Sequence, residues 1–438
     1  MGLEPAHAPD EYDLEHLQSL GIFSDLDRYF ARFLGKLAQR TDPLFLFSAA
    51  LVSQWTARSH VCLDLAALAG EWLPLEHMQH SLRCPPLPVW LASLAHLSVV
   101  GRPGDYAPLI LDSHHRLYLY RYWHYEQRIA SRIQALLNAP PPPLNAALLR
   151  QQLAQFFPAT TQTVDWQAVA AVTALTHRFC VISGGPGTGK TATVVKILAL
   201  LVAQAGQTPL RIALLAPTGK AAMRLRTAIS QAKLSQLGDA RLRDAIPEDT
   251  ATLHRALGPL PNSPYFRHHA NNPLMTDVVI VDEASMVDVA LMAKLLDALP
   301  STARLILLGD KDQLASVEAG AVLGDLCATD SQAAMSATAH AQLLALLPSA
   351  QAAPVATVPL PAMQDALVVL RHSYRFDAHS AIGQLASAVN QGDATAVLRH
   401  LRNNQRSPED SVSWLEQPSL DDLLQPALTA YARYLEEP

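Results

Sequence analysis

The stretch FCVISGGPGTGKTATVV, residues 179–195, constrains this chain more than any other segment. An apolar run leads into glycines at 184, 185, 187 and 189, then Lys190 and Thr191, then a helix-forming sequence. Glycines at that spacing let successive backbone amides turn inward on one anion, and the following helix adds the positive end of its dipole. The pattern GxxxxGK[ST], in this strand-to-helix setting, is that of a phosphate-binding loop. Gly184, Gly185, Pro186, Gly187, Thr188 and Gly189 form the expected cradle for ATP. Lys190 is placed to reach the β- and γ-phosphates, and Thr191 to offer its hydroxyl to Mg²⁺. A glycine turn without a ligand is the competing reading, and the flanking strand and helix argue against it.

The periodicity around this loop gives the fold class. From about residue 160 to 330, the apolar runs FCVIS, RIALLAP, DVVIVDE and RLILLGD are each followed by an amphipathic stretch. Strands alternating with helices imply a parallel sheet with right-handed crossovers, hence an α/β domain over residues 151–330. Residues 1–110 instead place apolar side chains at three- and four-residue steps, as in DLEHLQSLGIFSDLDRYFARFLGKLAQ and HVCLDLAALAGEWL. They read as a helical domain for packing or partner docking. Residues 111–150 begin as a strand or hairpin, become a helix from about Trp123, and end in NAPPPPLN, where proline denies a helix its amide donors. The interleaved Arg and Tyr of RLYLYRYWHYEQRIA suit a packed strand face better than a base-stacking surface. Residues 331–364, rich in Ala, Ser and Pro, read as a linker with at most one short helix. ALVVLRHSYRF then appears as the start of a partial second α/β unit over 365–438.

Composition narrows the partners. The 438 residues are half hydrophobic and 16% charged, enough for two or three cores. A formal charge of -6 offers a polyanion no global attraction, so any nucleic-acid contact must use local basic surface or a partner's. Cys62, Cys84, Cys180 and Cys327 form no CxxC pair, which argues against a zinc site or a disulfide framework. The acidic start MGLEPAHAPDEYDLEH lacks the apolar core of a secretory signal, and no run of apolar residues is long enough to span a bilayer. The expectation is a cytoplasmic protein with no membrane contact.

Four further stretches carry chemistry. VVIVDEASM ends a strand in Asp282 and Glu283 at the sheet edge where α/β folds bind ligands. Asp282 is expected to hold Mg²⁺, and Glu283 to orient and deprotonate a water. RLILLGDKDQL ends the next strand. Turn chemistry alone would explain GDKD, but beside a phosphate loop Gln313 can report a γ-phosphate through its neutral amide, and Asp310 can bond the lytic water or Gln313 itself. APTGKAAMRLR and ATLHRALG place Thr218, Lys220, Thr252 and His254 where they could hold a DNA phosphate. In SYRF, Arg375 follows a strand and could act as an arginine finger across a cleft.

Taken in order, DWQAVAAV, GGPGTGKTATVV, APTGKAAMRL, TLHRALG, VIVDEASMVD, LLGDKDQLASVEAGAVLGDLC and LRHSYRF resemble the RecD family, the alpha subunits of exodeoxyribonuclease V within the 5′→3′ branch of superfamily 1 helicases. The resemblance implies two RecA-like domains, ATP between them, and translocation on single-stranded DNA in a complex with RecB and RecC. It implies that Gln167 reads adenine and that the N-terminal domain docks on RecC. The family's later motifs are not found before Pro438, and ALTAYARY has Ala430 where their arginine would stand. The chain is therefore expected to be C-terminally incomplete. Two alternatives follow: a truncated, non-motor nucleotide-binding assembly subunit, or a free-standing RecD-like helicase.

Overall fold

The structure is a computed structural model, and it describes residues 12–73, 82–158, 164–314, 316–328, 334–358, 360–374, 380–403, 412, 414 and 419–436. Its chain divides into two compact units, Met1–Gly184 with Lys190–Leu370, and Gly185–Gly189 with Arg371–Pro438.

In the first unit the N-terminal region is built on the helix Pro43–Ala57, whose sequence PLFLFSAALVSQWTA is apolar on every side. Such a helix is stable only when surrounded. Phe45, Phe47 and Leu51 are fully enclosed, and Trp90 packs beside them with its indole N–H 2.7 Å from Ser48 Oγ. The region is not wholly helical as expected. Strands β1 (Cys62–Asp64), β2 (Val100–Gly101), β3 (Leu109–Leu111) and β4 (Arg116–Leu119) form a sheet of order β1-β4-β3-β2. Leu63 and Leu65 of HVCLDL are both buried two residues apart, a strand spacing that the longer helical pattern around them conceals. From β4 the chain turns directly into the helix Tyr120–Asn138.

The second layer system is a parallel sheet of β5 (Phe179–Gly184), β6 (Ile212–Ala216), β7 (Thr250–Thr252), β8 (Val278–Val281), β9 (Arg304–Gly309) and β10 (Leu367–Leu370), in the order β10-β5-β9-β8-β6-β7. Alternate residues of β5 enter opposite cores. Cys180 and Ile182 pack with the helices Trp166–Thr176, Lys190–Ala205 and Gly219–Gln236, while Phe179 and Val181 pack with Tyr120–Asn138 and Val289–Ala298. Both faces are thus covered, as an all-parallel sheet requires. The expected linker is also partly folded onto this unit: the helix Ala337–Leu346 and the turn after it bury Leu343, Leu347, Ala350 and Ala353 in the first of these cores.

β10 corrects the sequence reading. LVVL does form a strand, but it pairs in parallel with β5, Leu367 opposite Val181 and Leu370 opposite Gly184, as the edge of the first sheet. An apolar run marks a strand without saying which sheet it joins. The second unit, taken by itself, has the helices Ala381–Asn390, Ala394–Asn403 and Leu420–Glu436, and no strand among its described residues.

Candidate nucleotide site

The carboxyl ends of β5, β8 and β9 lie side by side, since Ser183 is opposite Gly309 and Val281 opposite Leu307. Three expected functional stretches leave the sheet there. Gly184 closes β5, and Lys190 and Thr191 begin the helix that returns along the sheet. Lys190 donates to the carbonyl of Gly184.

Asp282 follows β8 directly, its amide bonded to Leu215 O at 2.9 Å. Burial, with a further push from the neighbouring Glu283, raises its carboxyl to about 6, against the opposing pull of Lys190 and of the Glu283 amide, which donates to Asp282 Oδ1 at 3.0 Å. A half-desolvated carboxylate near one lysine is a group short of positive charge, which fits a divalent-cation ligand. Glu283 has a φ of 52°, a left-handed conformation that few residues other than glycine adopt, and opens the turn Ala284–Met286.

The turn after β9 is ordered by its own side chains. Asp310 is buried, its Oδ1 accepts from the Asp312 amide at 3.1 Å, and its carbonyl accepts from the Gln313 amide at 3.3 Å. Asp310 therefore shapes the loop that carries Gln313, and its carboxylate keeps acceptor sites beyond this one bond. The Lys311 amide donates to Ser183 Oγ at 3.1 Å, tying this turn to β5. Gln313 is exposed. Gln167 is partly buried in the first turn of Trp166–Thr176, with its amide donating to Asp165 Oδ1 at 2.9 Å.

In the loop 185–189, Gly187 and Gly189 have φ of 79° and 81°. Thr188 Oγ1 donates to Gly185 O at 2.9 Å, and a Cβ at Gly185 would meet nothing within 4 Å. The backbone thus has the left-handed turns and the open approach that a phosphate cradle needs, so the loop fits ATP. Within the same unit, the Tyr374 amide donates to Gly187 O at 2.8 Å and Ser373 Oγ to Pro186 O at 3.2 Å. Arg375 itself lies outside the described residues.

The residues expected at DNA sit one strand further along. β6 and β7 end together, Ala216 opposite Thr252. Thr218 caps Gly219–Gln236 by accepting from Ala221 N at 3.2 Å, and Thr252 caps Leu253–Leu257 by accepting from Arg255 N at 3.1 Å. A capping hydroxyl accepts and still has its hydrogen to donate, so both caps remain suited to a phosphate oxygen. Lys220 and His254 are exposed beside them, and the His254 ring packs on Phe266.

Sequence reasoning missed Gly309. Its role is close approach rather than a turn conformation: a Cβ there would collide with Leu323 and come within 3.2 Å of the Ser285 amide. A glycine directly before the loop that carries Gln313 was the available signal. It also missed Ser183, which anchors Lys311, and Ser285, whose buried hydroxyl has no hydrogen-bond partner among the described residues.

Residues 19–118 match the family profile described as the RecBCD enzyme subunit RecD, N-terminal domain, and residues 167–319 match an AAA domain. A RecBCD enzyme subunit RecD from Mycolicibacterium smegmatis is 37% identical over 407 residues, covering 92% of this chain and 63% of that protein. Its counterpart in Haemophilus influenzae is 35% identical, covering 88% and 63%. An ATP-dependent RecD2 DNA helicase from Deinococcus radiodurans is 37% identical over 227 residues, 52% of this chain and 28% of that protein. The chain thus spans less than two thirds of the length of the RecD proteins it matches.

Proposed function

We propose, from the premise that this chain belongs to the RecD family, that it is the ATP-hydrolysing part of a 5′→3′ DNA translocase, acting with RecB and RecC on single-stranded DNA at duplex ends. The observation that carries the hydrolytic reading is the placement of Lys190, Thr191 and Asp282 at one carboxyl edge of the sheet, the first two at the start of the helix after β5 and Asp282 directly after β8, with β9 between the two strands and Asp282 held in a desolvated setting. Direction of travel and the subunit partners rest on the family. The match of residues 19–118 to the RecD N-terminal domain supports the subunit reading over a free-standing helicase.

In this reading the loop 184–191 binds the triphosphate through its amides, and Lys190 leaves the Gly184 carbonyl to pair with the β- and γ-phosphates. Thr191 and Asp282 would hold Mg²⁺, which when bound supplies neutralising charge at the phosphates. Glu283 orients the attacking water and takes its proton, Gln313 reports the γ-phosphate, and Arg375 stabilises the transferring group. Gln167 reads the adenine. Thr218, Lys220, Thr252 and His254 hold the DNA backbone. The test is ATP hydrolysis by the purified chain with and without single-stranded DNA, beside Lys190→Gln. Stimulation by DNA that disappears in the variant is expected; hydrolysis undiminished in Lys190→Gln would overturn the site. Nucleotide binding without DNA-stimulated turnover would favour a non-motor assembly subunit.

A further inference from the structure

Ser59 is the residue after the C-cap of Pro43–Ala57, and its φ is 69°. The His60 amide reaches back to Trp55 O at 3.0 Å and the Ser59 amide to Thr56 O at 3.1 Å, a helix ending in which glycine is the usual occupant. A serine kept in a glycine conformation asks what its side chain does there. Its hydroxyl donates to the carbonyl of Val317, and its own carbonyl accepts from the Gly320 amide at 3.2 Å. Both partners belong to segment 316–320, which follows Gln313 within a few residues.

Within the segment Ser316 Oγ meets Glu318 O at 2.8 Å and Gly320 O at 2.7 Å, and Ala319 is buried in the same core as Val289. Val317 is 91% exposed, and Gly320 and Val61 line a cavity of about 410 Å³. On its other side the Val289 amide donates to Ala319 O at 3.2 Å. Gly320 has a φ of 101°, and a Cβ there would come within 2.8 Å of Val289 Cβ and 3.1 Å of Val61 Cγ1. The segment is therefore clasped between the N-terminal region and the helix Val289–Ala298, by the Ser59 and Val289 bonds and by the packing of Ala319 and Gly320.

We propose that Ser59 is a positioning residue for the Gln313 loop, through which the N-terminal region sets the geometry of γ-phosphate sensing. The inference rests on the reading of Gln313 as the sensor. A partner that shifts the N-terminal region would then change turnover without touching the nucleotide.

Ser59→Gly separates this role from folding, because glycine suits the backbone and removes only the hydroxymethyl group. In the full chain, its melting temperature is expected to stay equal or rise. Amide exchange over residues 311–320 is expected to quicken about fivefold while 278–296 stays unchanged. The kcat for ATP is expected to fall about threefold with KM within a factor of two. Ser59→Asn, which tolerates the same backbone and keeps a donor, is expected to restore both. Unchanged exchange in Ser59→Gly overturns the clasp, and so does Ser59→Asn behaving like Ser59→Gly. If the parent chain hydrolyses no ATP, the hydrolytic reading fails, and the exchange measurement still decides whether Ser59 holds the loop.

Discussion

Asp282 carries a conflict between stability and function in a single carboxyl group. Its folded pKa, about 6, lies above that of an exposed aspartate, so the folded chain binds the proton more tightly than the unfolded chain. Its contribution to stability is then best below about pH 4 and is lost as pH rises through the interval from about 4 to 6. At pH 7 without nucleotide, Asp282→Asn should raise stability by about 1–2 kcal/mol, measured by denaturant unfolding, because a desolvated charge disappears. The same variant should lose Mg²⁺-dependent turnover by at least about 100-fold. A stability loss in Asp282→Asn would show that the carboxylate is compensated within the apo chain. Gly309→Ala is the second residue-scale case. Leu323 can swing away from a new methyl group but the Ser285 amide cannot, so a cost of about 1–3 kcal/mol is expected in the same unfolding measurement.

At the scale of elements, the helix Tyr120–Asn138 holds the helix Val289–Ala298 by its end. Arg132 donates to Leu296 O at 2.9 and 3.1 Å and to Leu299 O at 2.8 Å, and Arg128 pairs with Asp297 in the last turn. Cations at a helix C-terminus satisfy its orphan carbonyls and its dipole. Arg132→Ala should cost about 1–3 kcal/mol in urea unfolding, and Arg132→Lys should recover part of it. No sequence pattern announced this cap, because its two halves are far apart in the chain. The same distinction separates what was legible from what was not. The positions of residues 184–191 and of Asp282 at strand ends could be read because each belongs to a contiguous run leaving a strand. The collision behind Gly309, the pairing of β10 with β5, and the strand at Cys62–Asp64 could not, because each is decided by a distant segment.

For the whole molecule, the formal charge of -6 sets the terms of any DNA contact. Among the described residues, no helix is long and apolar enough to cross a membrane. The expected contacts are local: Thr218 and Thr252 capping the helices that follow the paired strands β6 and β7, with Lys220 and His254 exposed beside them. Hydroxyls and helix ends hold phosphates without releasing counterions as lysines do. Lys220 is the one lysine among these four residues, so they should neutralise only about one phosphate, and the slope of log K against log salt should be shallow, about -0.7. Fluorescence anisotropy with a labelled oligothymidine across a salt series measures that slope. Lys220→Ala should weaken binding and flatten the slope by about 0.7, whereas Thr218→Ala should weaken binding with the slope unchanged, because a hydroxyl carries no charge. A slope steeper than about -4 would mean that a larger basic surface binds the strand, and that these four residues are not its main seat.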